Sequence, residues 1–184
     1  MATAITVKTK SAALQTLFSK IQHVYYNASA IASGTSTVSD CTELPVLEDG
    51  VTFNTGEAEV TEVNLIDGSI WTSKADKGDS DISFQVASLN EAINNLFLTK
   101  GKTYSGVTLD GGTAFGGAGY ALDVKKATGS LVMTDDTGNT MIILPNVEMY
   151  GSLTVADGDN PAYFDVSVTP KANTDGDAII LLTK

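Results

Sequence analysis

The chain has no arginine, and only one histidine, one cysteine and one tryptophan in 184 residues. Each scarcity removes a class of chemistry. Without guanidinium forks the protein is poorly suited to gripping phosphates. Cys41 alone cannot form an internal disulfide, so the fold is not a disulfide scaffold. One histidine and one cysteine are too few ligands for a zinc site. A Ser-His-Asp or Cys-His site would have to be built on His23, and His23 lies in an apolar, aromatic run where a packed or surface histidine is the usual outcome; no G-x-S-x-G elbow is present. Aromatic residues make up 7% of the chain, which is low for a sugar cleft. Nothing approaches 18 consecutive apolar residues, so no membrane-spanning helix is predicted. The opening MATAITVKTKSAALQ lacks a basic n-region followed by a long apolar run and does not read as a signal peptide.

Two further patterns fall short of sites. Asp157, Asp159 and Asn160 share one turn, and Asp175 and Asp177 another, but neither follows the spacing of a calcium loop, and turn chemistry is the preferred reading. The glycine-rich segment Gly111 to Gly119 lacks the GK[ST] ending of a phosphate loop and does not match G-x-G-x-x-G; it reads as a flexible connection. Neither an enzyme nor a bound cofactor or metal is expected.

What is abundant is negative charge. Eleven lysines face 22 acidic residues, for a formal net charge of −11. The balance is uneven. Residues 1–40 hold Lys8, Lys10 and Lys20 against Asp40 alone, net +2, and residues 41–184 hold the other eight lysines against 21 acids, net −13. An acidic body suits solubility, and could sit beside nucleic acid without sticking to it. The length fits one domain able to bury roughly 70% of its unfolded surface.

The best-written stretch runs from Asp79 to Gly101. Ile82, Phe84 and Val86 alternate with Ser83 and Gln85, the period of a half-buried strand. At Ser88 the period changes: Leu89, Ala92, Ile93, Leu96 and Phe97 form one helical stripe. Ser88 and Glu91 make an S-x-x-E capping box, Lys100 suits the helix end, and Gly101 supplies a left-handed C′ residue. These signals predict a helix over about residues 88–100, covering one face or end of a β core.

Before it, residues 12–26 fit either a short helix (Leu14, Leu17, Phe18, Ile21, Tyr25) or a strand (IQHVYY), and Asn27 to Ser39 reads as an extended loop or mobile arm. Asn27-Ala28-Ser29 matches a glycosylation triplet only by pattern. From Leu44 the body begins. VTFNT places Val51, Phe53 and Thr55 on one face. GEAEVTEVNLI changes phase at Thr61–Glu62, which suggests a bulge or a bend. Asp67-Gly68 is a turn, and SIWTSKADKGDSD reads as a projecting hairpin or long loop in which Trp71 is either an anchor for a partner chain or folded back onto its own core. After the helix, Tyr120, Leu122 and Val124 alternate with Ala121, Asp123 and Lys125. SLVMT and TMIIL flank the hairpin signal DDTGN. Val147, Met149, Leu153 and Val155 share a face, as do Phe164, Val166 and Val168, and AIILL at 178–182 is a candidate buried strand. Such spacing predicts a mainly β fold, a sandwich of two antiparallel sheets or a partly open barrel with one flanking helix.

The order of these elements resembles the phage major tail tube protein family, related in fold to the tubes of contractile injection and type VI secretion systems. The resemblance is carried by LPVLEDGVTFNTGEAEVTE, the loop after Asp67, DISFQVASLNEAINNLF, and GSLVMTDDTGNTMIILPNVEMYGSLTV followed by AYFDVSVTP, across roughly residues 41–184. The small-residue N-terminal stretch and the glycine-rich connection depart from it. The resemblance implies a structural virion protein, made in the cytoplasm of a bacterial host. Hexameric rings would stack into a tail tube alongside other tail proteins, and DNA would pass through the bore unbound. On that expectation residues 1–40 form an arm and 41–184 the domain. Glu57, Glu59 and Glu62 are candidates for the channel wall, and Ile70, Trp71, Lys74 and Lys77, with the first 40 residues, for contacts between subunits. The rival class is a monomeric β-sandwich that binds a ligand or, with calcium, serves adhesion; an enzyme comes third.

Overall fold

The computed structural model describes residues 20–32, 38–87, 90–155 and 161–184. The features expected at Leu14, Leu17 and Phe18, at Ser88 and Leu89, and in the 157–160 turn lie outside these residues. Among those described, strands are β1 (Ile21–Asn27), β2 (Thr42–Leu44), β3 (Val46–Asn54), β4 (Ala58–Asn64), β5 (Ile70–Lys77), β6 (Asp81–Val86), β7 (Thr99–Thr108), β8 (Ala114–Ala121), β9 (Lys126–Asp135), β10 (Thr140–Thr154), β11 (Tyr163–Lys171) and β12 (Ile180–Thr183), and α1 is Glu91–Phe97.

Eight strands form one antiparallel sheet in the order β2-β1-β9-β10-β11-β6-β3, with β12 also paired to β10. The sheet curls until β1 and β3 approach each other, so the architecture is a nearly closed barrel and not two flat layers. The remaining four strands form two separate two-stranded ribbons, β4–β5 and β7–β8.

The barrel follows from side-chain period. Ile82, Phe84 and Val86 on β6, and Phe164, Val166 and Val168 on β11, are buried while their neighbours face out. They meet Leu131, Met133, Val147 and Met149 from β9 and β10 in one continuous core. A smaller cluster forms elsewhere, where Ile31 packs with Val132 and Ile143. The Ile31 amide donates to Pro145 O at 2.8 Å, and at that proline, which has no N–H for a ladder, the β9–β10 register shifts.

The hairpin DDTGN joins β9 to β10 as expected. Its first residue, Asp135, is buried. Thr137 Oγ1 donates to its carboxylate at 2.7 Å, and the amides of Asn139 and Thr140 at 3.1 and 3.3 Å. The Thr137 hydroxyl, with help from the Thr140 and Asn139 donors, outweighs desolvation and holds this carboxyl at about 2.

The helix is shorter than its stripe suggested. Asn90 is the N-cap, its Oδ1 accepting from the Ile93 amide at 2.9 Å. Leu98 is already extended and Thr99 begins β7, so Lys100 and Gly101 belong to a strand instead of a helix end. Ile93 and Phe97 are buried, Leu96 is half-buried, and Ala92 is exposed. The Phe97 ring lies 5.3 Å from that of Phe164. It presses on Gly151 so closely that a Cβ there would sit 2.5 Å from Phe97 Cγ.

Other expectations are also revised. β1 is a barrel strand paired to β2 and β9, so the body takes in residues well ahead of 41. Ile21 and Tyr25, which also fit helical spacing, fall in the strand that the β-rich IQHVYY spells. The glycine-rich segment is not a loose connection but contributes β8. Leu122 and Val124 fall in an irregular strap, not a strand, and both are exposed. β12 is not fully buried: Leu181 and Leu182 face solvent, because β12 lies at the outer edge of β10.

Candidate assembly surface

The first ribbon stands on two glycines. Gly56 has φ +87°, and a Cβ there would sit 2.4 Å from Gly78 O; a Cβ on Gly78 would meet Glu57 O at the same distance. The crossing backbones are held by Gly78 N donating to Glu57 O at 2.8 Å. From this root β4 and β5 pair from Ala58↔Lys77 to Val63↔Thr72 without a break, so the phase change read at Thr61–Glu62 is not a bulge. The shift comes later, where Asn64 opposes Ile70 and Trp71 is the extra residue. The tip turns on Asp67, whose Oδ1 accepts from the amide and hydroxyl of Ser69 at 2.9 and 2.6 Å. The hydroxyl contact, then the amide, holds that carboxyl below its usual range.

Alternation sorts the ribbon into two faces. One carries Ala58, Val60, Glu62, Ala75 and Lys77; the other carries Glu59, Thr61, Val63, Thr72, Lys74 and Asp76. Glu59 faces Asp76 directly, an unfavourable like-charge pair, and Lys74 partly offsets it with an ion pair to Asp76 at 2.8 Å. The proposed channel acids therefore do not share one face: Glu59 and Glu62 point opposite ways, and Glu57 sits before the strand at the root. Every residue of both strands is exposed. Trp71 is 70% exposed, so within one chain it does not fold back onto the core; with Leu65, Ile66 and Ile70 it forms an apolar crown at the tip.

The second ribbon has a similar character, which sequence reasoning missed. Val107 opposes Phe115 and Tyr104 opposes Gly117, with register shifts on either side of Thr103–Tyr104. The Tyr104 ring lies over Gly119, where a Cβ would come within 3.0 Å of it. Tyr104, Val107 and Phe115 thus form an aromatic-aliphatic face on a glycine bed, more than half exposed at each position. The tip is Leu109 with Asp110 and Gly111, both at positive φ. The signal was the F-x-G-x-G spacing of Phe115, Gly117 and Gly119, but glycines on both faces hide a strand's period.

The first ribbon's strands make their substantial contacts only with each other, and the second touches the body only near its base, where β7 meets α1 and Tyr120 of β8 packs against the core. A two-stranded ribbon with no covered face is marginal in water.

The other sequence candidates lead to no site. His23 Nδ1 meets Glu43 Oε1 at 2.6 Å on the surface, beside the Tyr25 ring. Asp175 and Asp177 form a turn in which Asn173 Oδ1 accepts both their amides at 2.9 Å. Among the described residues no three His, Cys, Asp or Glu side chains converge as metal ligands. A broad, open groove of about 820 Å³ runs between the barrel strands and the strap Leu122–Lys125. Its lining includes Ser83, Gln85, Asp165 and Ser167, with Gln85 Nε2 donating to Asp165 Oδ1 at 2.9 Å. Asp123, Lys125 and Tyr150 also line it. No family model matches the chain, and no curated protein matches it.

Proposed function

We propose that the protein is a structural subunit that assembles with copies of itself, as hexameric rings stacked into a phage tail tube through which DNA passes. One observation carries the self-assembly: two ribbons stand clear of the barrel with apolar faces uncovered and backbone edges unpaired. In a solitary chain these are a stability cost and an aggregation hazard; between copies they are joints. The step from assembly to a tail tube rests on the resemblance of residues 41–184. A net charge of −11 suits a bore that must let phosphates slide.

In this reading the Glu59–Asp76 face of the first ribbon looks into the channel, with Glu57 at its root. The Val60–Ala75 face and the Trp71 crown lie against protein, so Glu62, on that second face, leaves the wall. Lys74, paired to Asp76, softens the wall, while Lys77 lies with the subunit contacts. Electron microscopy and sedimentation of concentrated purified protein test the proposal. Rings or tubes are expected; a monomer at every concentration, with small ligands altering its melting, would favour a binding module using the 820 Å³ groove instead.

A further inference from the structure

The two ribbons are rooted at opposite ends of β6. The first leaves where β6 begins: Asn54 opposes Asp81, and the chain passes through Gly56 and Gly78 into β4–β5. The second is rooted where β6 ends. Val86 there opposes Phe164, whose ring meets that of Phe97, and α1 runs on into β7. Six residues of strand, about 17 Å, separate the two roots.

The ribbons differ in the sign of their charge. From Glu57 to Lys77 the first holds five acids against two lysines, net −3, and from Thr99 to Ala121 the second holds Lys100 and Lys102 against Asp110, net +1. The signs also run in opposite senses along the two. In the first, Asp67 is at the tip and Lys77 at the root, on the face of Val60 and Ala75. Glu59, Lys74 and Asp76 are on the other face, and Glu57 sits ahead of the strand. In the second, Lys100 and Lys102 are at the root and Asp110 at the tip.

Two ribbons laid face to face can overlap in two ways. With each tip at the other's root, setting Lys77 against Asp110 brings Trp71 to Tyr104 and Asp67 to Lys100 and Lys102, because both stretches rise about 3.3 Å per residue. Glu62, opposite Ser73, then falls beside Gly106 and Gly116, where the second ribbon has no charge. With tip on tip, Asp67 meets Asp110 and Lys77 meets the root lysines, like charges at both ends. The first overlap also gives Trp71 a seat. Tyr104 opposes Gly117, where a Cβ would meet nothing within 4 Å, and Phe115 and Val107 stand beside that open floor. An indole there has two rings at its sides, the edge or offset contact that aromatic groups favour.

We propose that the first ribbon of one copy docks on the second ribbon of the next, tip to root, with Trp71 seated over Gly117 between Tyr104 and Phe115, and with Asp67 and Lys77 paired to Lys102 and Asp110. The docking rests on the self-assembly reading and supplies its joint: a contact between unlike surfaces, which builds rings or filaments and not a closed pair.

Sedimentation at low salt reads the concentration at which copies associate. Lys102→Glu raises it at least about tenfold, since like charges across an interface are strongly unfavourable. Asp67→Lys also raises it, although that change brings the net charge of −11 nearer zero, and the two together restore the parent's behaviour. A double variant no better than the worse single one overturns the docking and leaves self-assembly standing. A parent that stays monomeric at every concentration overturns both. Should Asp67→Lys spoil the tip turn, which Asp67 holds through Ser69, the apolar seat decides. Gly117→Val fills the floor and raises the parent's association concentration about tenfold, but adds nothing once Trp71→Ala has emptied the seat; losses that simply add overturn the docking.

Discussion

Asp135 shows how one side chain can set the acid limit of the fold. Its carboxylate is buried and accepts from Thr137, Asn139 and Thr140, which holds its pKa at about 2 against an ordinary value of 3.8. A depressed folded pKa contributes stability that is complete above the unfolded value and is lost as pH falls through the folded one. That contribution is therefore present at neutral pH and disappears between about pH 4 and pH 2. Asp135→Asn should lower the melting temperature at pH 7 and narrow the gap between pH 7 and pH 2.5 melts; an unchanged gap would remove Asp135 as the source. Gly151 makes a second case. A methyl there strikes the Phe97 ring, so Gly151→Ala should destabilise by about 1–3 kcal/mol, the usual cost of overpacking. Adding Phe97→Leu should recover part of that loss in denaturant melts, because the two sites share the same space.

Among the elements, legibility followed side-chain period. β6, β9, β10 and β11 were readable because Ile82–Phe84–Val86 and Phe164–Val166–Val168 alternate against polar neighbours, and DDTGN forms the turn it spells. The helix was readable as an element but not in its ends: Asn90 caps it, and the chain turns extended at Leu98 because β7 must start there to pair with β8. The second ribbon was hidden by glycine, which carries no period. The first ribbon was half legible: SIWTSKADKGDSD reads as a projecting hairpin or long loop in which Trp71 either anchors a partner or folds back, and the choice falls to exposure, which a one-dimensional sequence does not carry, as for Val60. The Trp71 crown is where assembly should be most sensitive. A tryptophan buried at the centre of an interface contributes about 2 kcal/mol or more, so if copies associate through this crown, Trp71→Ala should raise the concentration needed for association at least about tenfold. The barrel's melting point should hardly move, because Trp71 touches none of the core; a large fall in it would place Trp71 in the barrel's own stability.

For the whole molecule, like charge opposes association. Copies carrying −11 each repel at low salt, where the screening length is about 30 Å at 0.01 M, and hardly at all near 1 M, where it is about 3 Å. If apolar ribbon faces drive assembly, raising salt should lower the concentration at which light scattering appears. Dispersal by salt would mean that ion pairs drive it. The acidic excess was plain in the composition, and a partly open barrel was one of the two architectures expected, but which edges close it was not legible. Closure depends on β1 entering beside β9 and on β3 returning toward it, both contacts between segments distant in sequence. No local pattern encodes which edge meets which.

The two ribbons also set how a solitary chain ages. A protease needs an accessible stretch it can open locally, and the exposed Leu65–Ile66 turn at the ribbon tip offers one. A cut there would leave the barrel intact, since neither ribbon contributes a strand to it. The result would be a nicked chain that still melts like the whole one; if copies associate through this tip, the cut would stop them coupling, and association would in turn shield the peptide bond.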